Sequence, residues 1–240
     1  MNLLDRVLLS GTVEECEPLT SRVRRVRIAG PALRGLGWVP GQHVRLKVGD
    51  LLTPRAVLSG FRDVLRSYSV WHYDTGGALE VCVLDHAGAG PGALWARRAV
   101  AGQRVLLTRP EGRLVPRPGA PYHLFAGDET AAVAFGAMLR VLPEEERVCG
   151  ALTVPAAGDR LPLPRSGELT WVHGDGVADP DALVRAVRGM SLPSEPGTAY
   201  VAGEARACQS VVRHLVRERG WPRASVRVKA FWAPGKRGMD

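Results

Sequence analysis

The chain has 240 residues, 45% apolar and 23% charged, with 32 basic against 24 acidic side chains for a net charge of +8. That balance excludes a disordered or fibrous chain and leaves room for one large domain or two small ones. No apolar run approaches the ~18–20 residues of a membrane span, and the N-terminus carries no signal-peptide pattern. Cys16, Cys82, Cys149 and Cys208 are scattered without a CxxC pair, which argues against zinc and disulfides and for a cytoplasmic, reducing location.

The first half reads as strands. Val7–Cys16 and Arg22–Ile28 flank a turn at Pro18, and Gln42–Val48, Leu65–Tyr73, Leu79–Leu84 and Gln103–Leu107 follow. Gly76-Gly77 marks a hairpin turn. The one helical insert is Pro91–Val100. Six short strands separated by turns predict a small antiparallel β-barrel. The densest basic run, RVRRVR at Arg22–Arg27, mostly alternates as a half-exposed strand does. The arginines are otherwise dispersed, so the charge fits a small anionic ligand better than nucleic acid.

The pattern changes near Pro116–Pro121, which places the domain edge at 117/118. Beyond it strands and helices alternate: strand Tyr122–Ala126, helix Glu129–Leu142, strands Val148–Val154 and Leu169–His173, then a helix over Asp181–Met190 capped by Asp179. Strand Ala199–Ala202, a helix Ala205–Arg219 stopped by Gly220 and strand Val226–Phe231 complete the chain. Such alternation predicts a Rossmann-like parallel sheet covered by helices. The expected architecture is therefore a small antiparallel β-barrel over 1–117 and an α/β domain over 118–240.

Four stretches carry chemistry. RSYSVW (Arg66–Trp71) puts a guanidinium and a phenol on one strand face, with Ser69 beside them; it reads either as surface decoration or as a flavin contact. HAGAGPGALW (His86–Trp95) leads bare backbone into a helix start at Pro91, which makes either a Gly-rich turn or an anion site. LFAGDETAAVAFGAML (Leu124–Leu139) runs from a strand through Asp128, Glu129 and Thr130 into a helix. Acids there either complement the helix dipole or border a ligand at the strand end. AYVAGEARACQSVVRHLV repeats the strand–turn–helix pattern through Gly203 and Glu204, and the chain closes with KAFWAPGKRG.

In this order the stretches resemble the siderophore-interacting protein family, the FAD-binding ferric-siderophore reductases of the ferredoxin-reductase-like superfamily. The resemblance implies FAD on the barrel, NAD(P)H on the α/β domain, hydride transfer to flavin N5 and electron transfer to a chelated ferric ion. Residue by residue it implies flavin contacts from Arg66, Tyr68, Ser69 and Val70, and a pyrophosphate wrap from His86, Gly88, Gly90, Pro91, Gly92 and Ala93. It implies a nicotinamide border from Asp128, Glu129, Thr130, Gly203, Glu204 and Trp232. Neither a catalytic acid–base dyad nor a metal is nominated, because the cofactor carries the chemistry. The histidines read as structural.

Several positions depart from the family pattern. The last Arg of the strand motif is Trp71, the Ser of the glycine loop is Ala93, and Arg109-Pro110-Glu111-Gly112 stands where relatives carry Gly-Pro-Arg-Gly. Ala233-Pro234 follows Trp232 where arginines are usual. Arg45 and Lys47 keep some positive charge for an anionic substrate, Lys236 and Arg237 return some, and Trp71 and Phe231 suit an apolar one. Three readings stay open: a working ferric-siderophore reductase, the same scaffold turned to a less charged small metabolite, and a non-catalytic binding protein. The sequence leaves the oligomeric state open, a monomer included.

Overall fold

A computed structural model describes residues 8–48, 64–85, 90–174, 179 and 181–236. The chain divides into two compact units, Met1–Gly112 and Arg113–Met239. Arg117, the last residue of the barrel region in the sequence reading, donates its backbone N–H to Tyr200 Oη at 2.8 Å, a bond inside the second unit.

The first unit is a closed antiparallel barrel. Its strands are β1 (Leu9–Pro18), β2 (Val23–Ala29), β3 (His43–Lys47), β4 (Leu65–Asp74), β5 (Ala78–Leu84) and β6 (Arg104–Leu107), in the order β1-β2-β5-β4-β3-β6. Alternation fills the interior: Val26, Ile28, Val44, Leu46, Val81, Val83 and Leu107 are buried. Helix α1 (Pro91–Arg98) adds Trp95 and Ala96 to that core. The β4–β5 hairpin turns at Gly77, whose φ of +109° and 2.9 Å Cβ approach to Gly30 O admit only glycine comfortably. On the outer face two arginines of the RVRRVR run are paired with acids. Arg25 meets Glu15, Glu17 and Glu80 at 3.2, 2.8 and 3.5 Å, and Arg27 meets Glu14 and Glu80 at 3.0 and 3.2 Å.

The second unit is a parallel sheet in the order β11-β10-β7-β8-β9. The strands are β7 (His123–Asp128), β8 (Val148–Val154), β9 (Leu169–His173), β10 (Thr198–Glu204) and β11 (Val226–Trp232), with α2 (Glu129–Leu139), α3 (Ala182–Arg188) and α4 (Ala205–Arg213) between them. The fold expected from the sequence is present in both units. Helix α3 is assigned from Ala182, and the Asp179 carboxylate before it is held below the usual carboxylate range first by Arg185 and also by the Asp181 and Ala182 N–H groups, in keeping with the cap read from the sequence. One local detail differs. The last helix is not uniform: after Arg213 it widens into a π turn over His214–Glu218 before Gly220, at φ +72°, ends it. Among the described residues no helix is long and apolar enough to cross a membrane.

Candidate functional site

In the barrel, β4 pairs with β3 so that Tyr68 faces Val44, Arg66 faces Leu46 and Ser67 faces Arg45. Directly opposed residues share a sheet face. Arg66 and Tyr68 therefore lie on one face, and Arg45, Ser67, Ser69 and His43 on the other. Tyr68 packs beside the barrel core, with its hydroxyl against the start of α1. A Cβ on Gly92 would lie 1.8 Å from Tyr68 Oη and 3.1 Å from Cζ, with Arg66 Cγ at 3.8 Å. Glycine at 92 is what lets the phenol and the helix meet. Desolvation pushes the Tyr68 phenol pKa well up, and the Arg66 charge offsets only part of that, so the ring stays neutral at physiological pH.

The α1 N-terminus is bare. Gly90 offers no side-chain cap, Pro91 takes the first position and no acid stands in the first turn. The N–H groups of such a turn have no intrahelical partners and carry the positive end of the helix dipole. Ala93 is buried beneath it. The structure thus brings Arg66, Tyr68, Gly90, Pro91 and Gly92 together. His86 and Gly88 lie outside the described residues.

Other nominated barrel residues are placed differently. Val70 is a core residue, 1% exposed, and its N–H is donated to Gln42 O at 3.0 Å, so its side chain has no ligand surface to offer. A bulge between Val70 and His72 breaks the alternation that would have opposed Trp71 to Val70, and Trp71 is itself buried, 6% exposed. Arg45 is not an isolated cation. Its Nε donates to Glu111 Oε1 at 2.9 Å, and His43 Nε2 stands 3.7 Å from the same oxygen. Backbone bonds in both directions between His43 and Glu111, each 2.9 Å, hold that acid in place.

In the second unit Asp128 is the centre. It ends β7 and caps α2, and five donors converge on its carboxylate. Oδ1 accepts from Thr130 N at 2.9 Å, Ala131 N at 3.3 Å and the Thr130 hydroxyl; Oδ2 accepts from Glu204 N and Trp232 Nε1, both at 2.8 Å. Gly203 has φ +118°, and a Cβ there would come within 2.5 Å of the same carboxylate. Glu204 caps α4 by accepting from Ala207 N at 2.7 Å, and it is 4% exposed. Its Oε1 has no hydrogen-bond partner among the described residues. Of the nominated residues, Asp128, Thr130, Glu204 and Trp232 thus form one hydrogen-bonded cluster, with Gly203 packed against it, at the carboxyl ends of β7 and β10, where open parallel sheets place their ligands. Glu129 starts α2 beside them, and Phe231 is half-buried on β11. Sequence reasoning missed Glu111 as the partner of Arg45; Gly127, which the sequence marks as a ligand position at a strand's carboxyl end, is tightly packed, a Cβ there lying 2.6 Å from both Ala131 Cβ and Ala202 O.

Two of the thiols are poor nucleophile candidates. Burial pushes Cys149 up to about 11 and Cys208 up to about 12. Among the described residues no three His, Cys, Asp or Glu side chains gather as a metal site.

Two family models divide the chain much as its units do. The siderophore-interacting FAD-binding domain matches residues 54–114 and the siderophore-interacting protein domain matches residues 120–235. An uncharacterized protein of Mycobacterium tuberculosis is 32% identical over 196 residues, covering 73% of this chain and 67% of that protein. The ferric vibriobactin reductase ViuB of Vibrio cholerae is 27% identical over 183 residues, covering 73% of this chain and 66% of that protein. The chain therefore spans about two thirds of the length of these relatives. A siderophore utilization protein from T. fusca superposes with a TM-score of 0.78 at 28% identity, covering 98% of this chain and 96% of that one. The siderophore-interacting protein SipS from Aeromonas hydrophila gives 0.81 at 23% identity, covering 96% and 94%, a likeness of fold. The barrel motif, the bare helix start and the Asp128 cluster all fall inside the two matched regions, and this chain belongs to the siderophore-interacting protein family.

Proposed function

We propose that the chain is a flavin-dependent oxidoreductase that takes hydride from NAD(P)H and delivers electrons to a chelated ferric ion. One observation carries the flavin part: Arg66 and Tyr68 stand against an uncapped helix start, at a glycine whose missing Cβ admits the Tyr68 hydroxyl. That set fits FAD, since a guanidinium and free N–H groups suit a pyrophosphate and a neutral phenol suits an isoalloxazine face. Bound FAD would accept the hydride and release its electrons singly to iron. Arg66 and the first turn of α1 would hold the diphosphate and Tyr68 would pack on the ring, whereas Ser69 stands on the opposite face of β4. The cluster around Asp128 would present Gly203, Glu204 and Trp232 to the nicotinamide cofactor.

Arg66→Ala tests the assignment. The variant is expected to lose most of its FAD, because a charge-assisted phosphate contact is worth ~1.5–3 kcal/mol, roughly ten- to a hundred-fold in affinity. Its far-UV circular dichroism is expected to match wild type. Full flavin content in the variant would refute the role.

The Arg45–Glu111 pair favours a second reading, in which the substrate is a less charged metabolite. A neutralised Arg45 attracts anionic chelates weakly. If anionic ferric chelates are nevertheless the substrate, Glu111→Gln is expected to raise kcat/KM for them by about five-fold, an exposed pair being worth up to ~1 kcal/mol. The gain should fade as salt shortens the screening length below ~8–10 Å. No change in the variant, together with turnover of neutral chelates only, would favour the second reading.

A further inference from the structure

The outer face of the second unit carries a cavity of about 680 Å³ between α4 with its π turn and the edge strand β11. The size is that of a small-molecule site. Val212, Val216 and Val228 line it, and Val228 is 38% exposed although it sits on a strand. The cause lies in the helix. Its apolar stripe runs through Cys208, Val211, Val212, Leu215 and Val216. Cys208, Val211 and Leu215 enter the core, whereas Val212 and Val216 are only half-buried.

The cavity is electrically lopsided. Arg213, Arg217 and Arg223 line it as well. The helix runs antiparallel to the strand, so its carboxyl end and the start of β11 bring these arginines to one end. The other end, at Ala205 and Ala230, is uncharged. Arg223 is fixed there, donating from Nη1 to Val226 O at 2.6 Å. Neither Arg213 nor Arg217 has an ion-pair or hydrogen-bond partner for its side chain among the described residues. The neighbouring acid, Glu218, is already occupied: Arg188 Nη2 lies 2.6 Å from Oε1 and His214 Nδ1 lies 2.8 Å from Oε2. Three cations beside an apolar trough are complementary to an anion with an apolar body.

We propose that this cavity binds a small amphipathic anion, its acidic head at Arg213, Arg217 and Arg223 and its hydrocarbon part lying over Val212, Val216 and Val228 toward Ala230. Arg213 lies eight positions along the helix from Ala205, a run on the order of 12 Å, which matches a medium-length acyl chain. The uncharged end adjoins Glu204 and Trp232 along the chain, but neither of them lines the cavity, and the proposal does not depend on the redox reading.

The test is a titration with 8-anilino-1-naphthalenesulfonate followed by fluorescence, with and without excess FAD, then displacement by decanoate or decanol. The expected result is saturable one-to-one binding that FAD leaves unchanged, that decanoate reverses and that decanol at equal concentration does not. Arg213→Glu combined with Arg217→Glu should weaken it at least ten-fold, while Arg206→Glu, on the same helix but outside the cavity, should not. Both arginines are exposed, so the double variant keeps the fold. Hydrogen exchange should slow over 205–217 and 226–230 when decanoate is added. Displacement by FAD, equal displacement by decanol, or equal affinity in the double variant would each overturn the proposal.

Discussion

Asp128→Ala is expected to cost the second unit about 3–5 kcal/mol, a fall in Tm of roughly 10–20 °C. The carboxylate satisfies five donors that come from α2, β10 and β11. Removing it leaves Glu204 N and Trp232 Nε1 without an acceptor and takes away the cap of α2, itself worth ~1 kcal/mol. Asp128→Asn is the sharper variant. The amide keeps the volume, but its NH2 group must face either the Thr130 and Ala131 amides or the Glu204 and Trp232 donors. Donor then meets donor, and a loss of about 2–3 kcal/mol is expected. A residue that only touched the nicotinamide cofactor would behave otherwise: Asp128→Asn would melt with wild type and show a raised KM for NAD(P)H. Thermal unfolding followed by near-ultraviolet circular dichroism, which senses the Trp232 indole, separates the two outcomes.

Gly92→Ala is expected to be the most damaging single-methyl change in the barrel. Its Cβ would overlap Tyr68 Oη at 1.8 Å, so either the phenol swings away or α1 shifts, and α1 carries Trp95 and Ala96 of the core. Overpacking of this kind costs about 1–3 kcal/mol. FAD affinity should fall with it, because the same motion moves the helix start away from Arg66. Tyr68→Phe removes the closest atom and leaves Cζ at 3.1 Å. The double variant Gly92→Ala/Tyr68→Phe should therefore recover much of the lost stability, a coupling that a double-mutant cycle measures. Equal losses in the single and the double variant would show that the clash lies elsewhere.

Much of this was legible in the sequence because its causes are local. Alternation along Val23–Ala29 and Ala78–Leu84 gave the barrel strands, and Gly76-Gly77 gave the hairpin. That Arg66 comes near the α1 start was anticipated, because both were read as contacts for one anion; the direct packing of the Tyr68 hydroxyl on Gly92 was not. What escaped depends on residues far apart in the chain. The acceptor of Asp128 serves donors 76 and 104 residues away, so its local pattern looked like ordinary helix capping. Glu111 neutralises Arg45 from 66 residues away. The β4 bulge buries Trp71 by inserting one residue against β5, and no turn residue announces it. The π turn after Arg213 leaves an unbroken apolar stripe, so the helix read as regular to Arg219.

Titration of purified protein with FAD, followed by quenching of flavin fluorescence, addresses the central claim most directly. Saturable one-to-one binding is expected. Trp71 takes the place of the last arginine in the strand motif that the family resemblance implies, so if that arginine meets phosphate the affinity should be roughly ten- to a hundred-fold weaker than with it present. Anaerobic NAD(P)H should then bleach the bound flavin. Absence of saturable binding at on the order of 10–50 µM FAD, where a single lost phosphate contact cannot hide it, would contradict the assignment of Arg66, Tyr68 and the α1 start to a flavin.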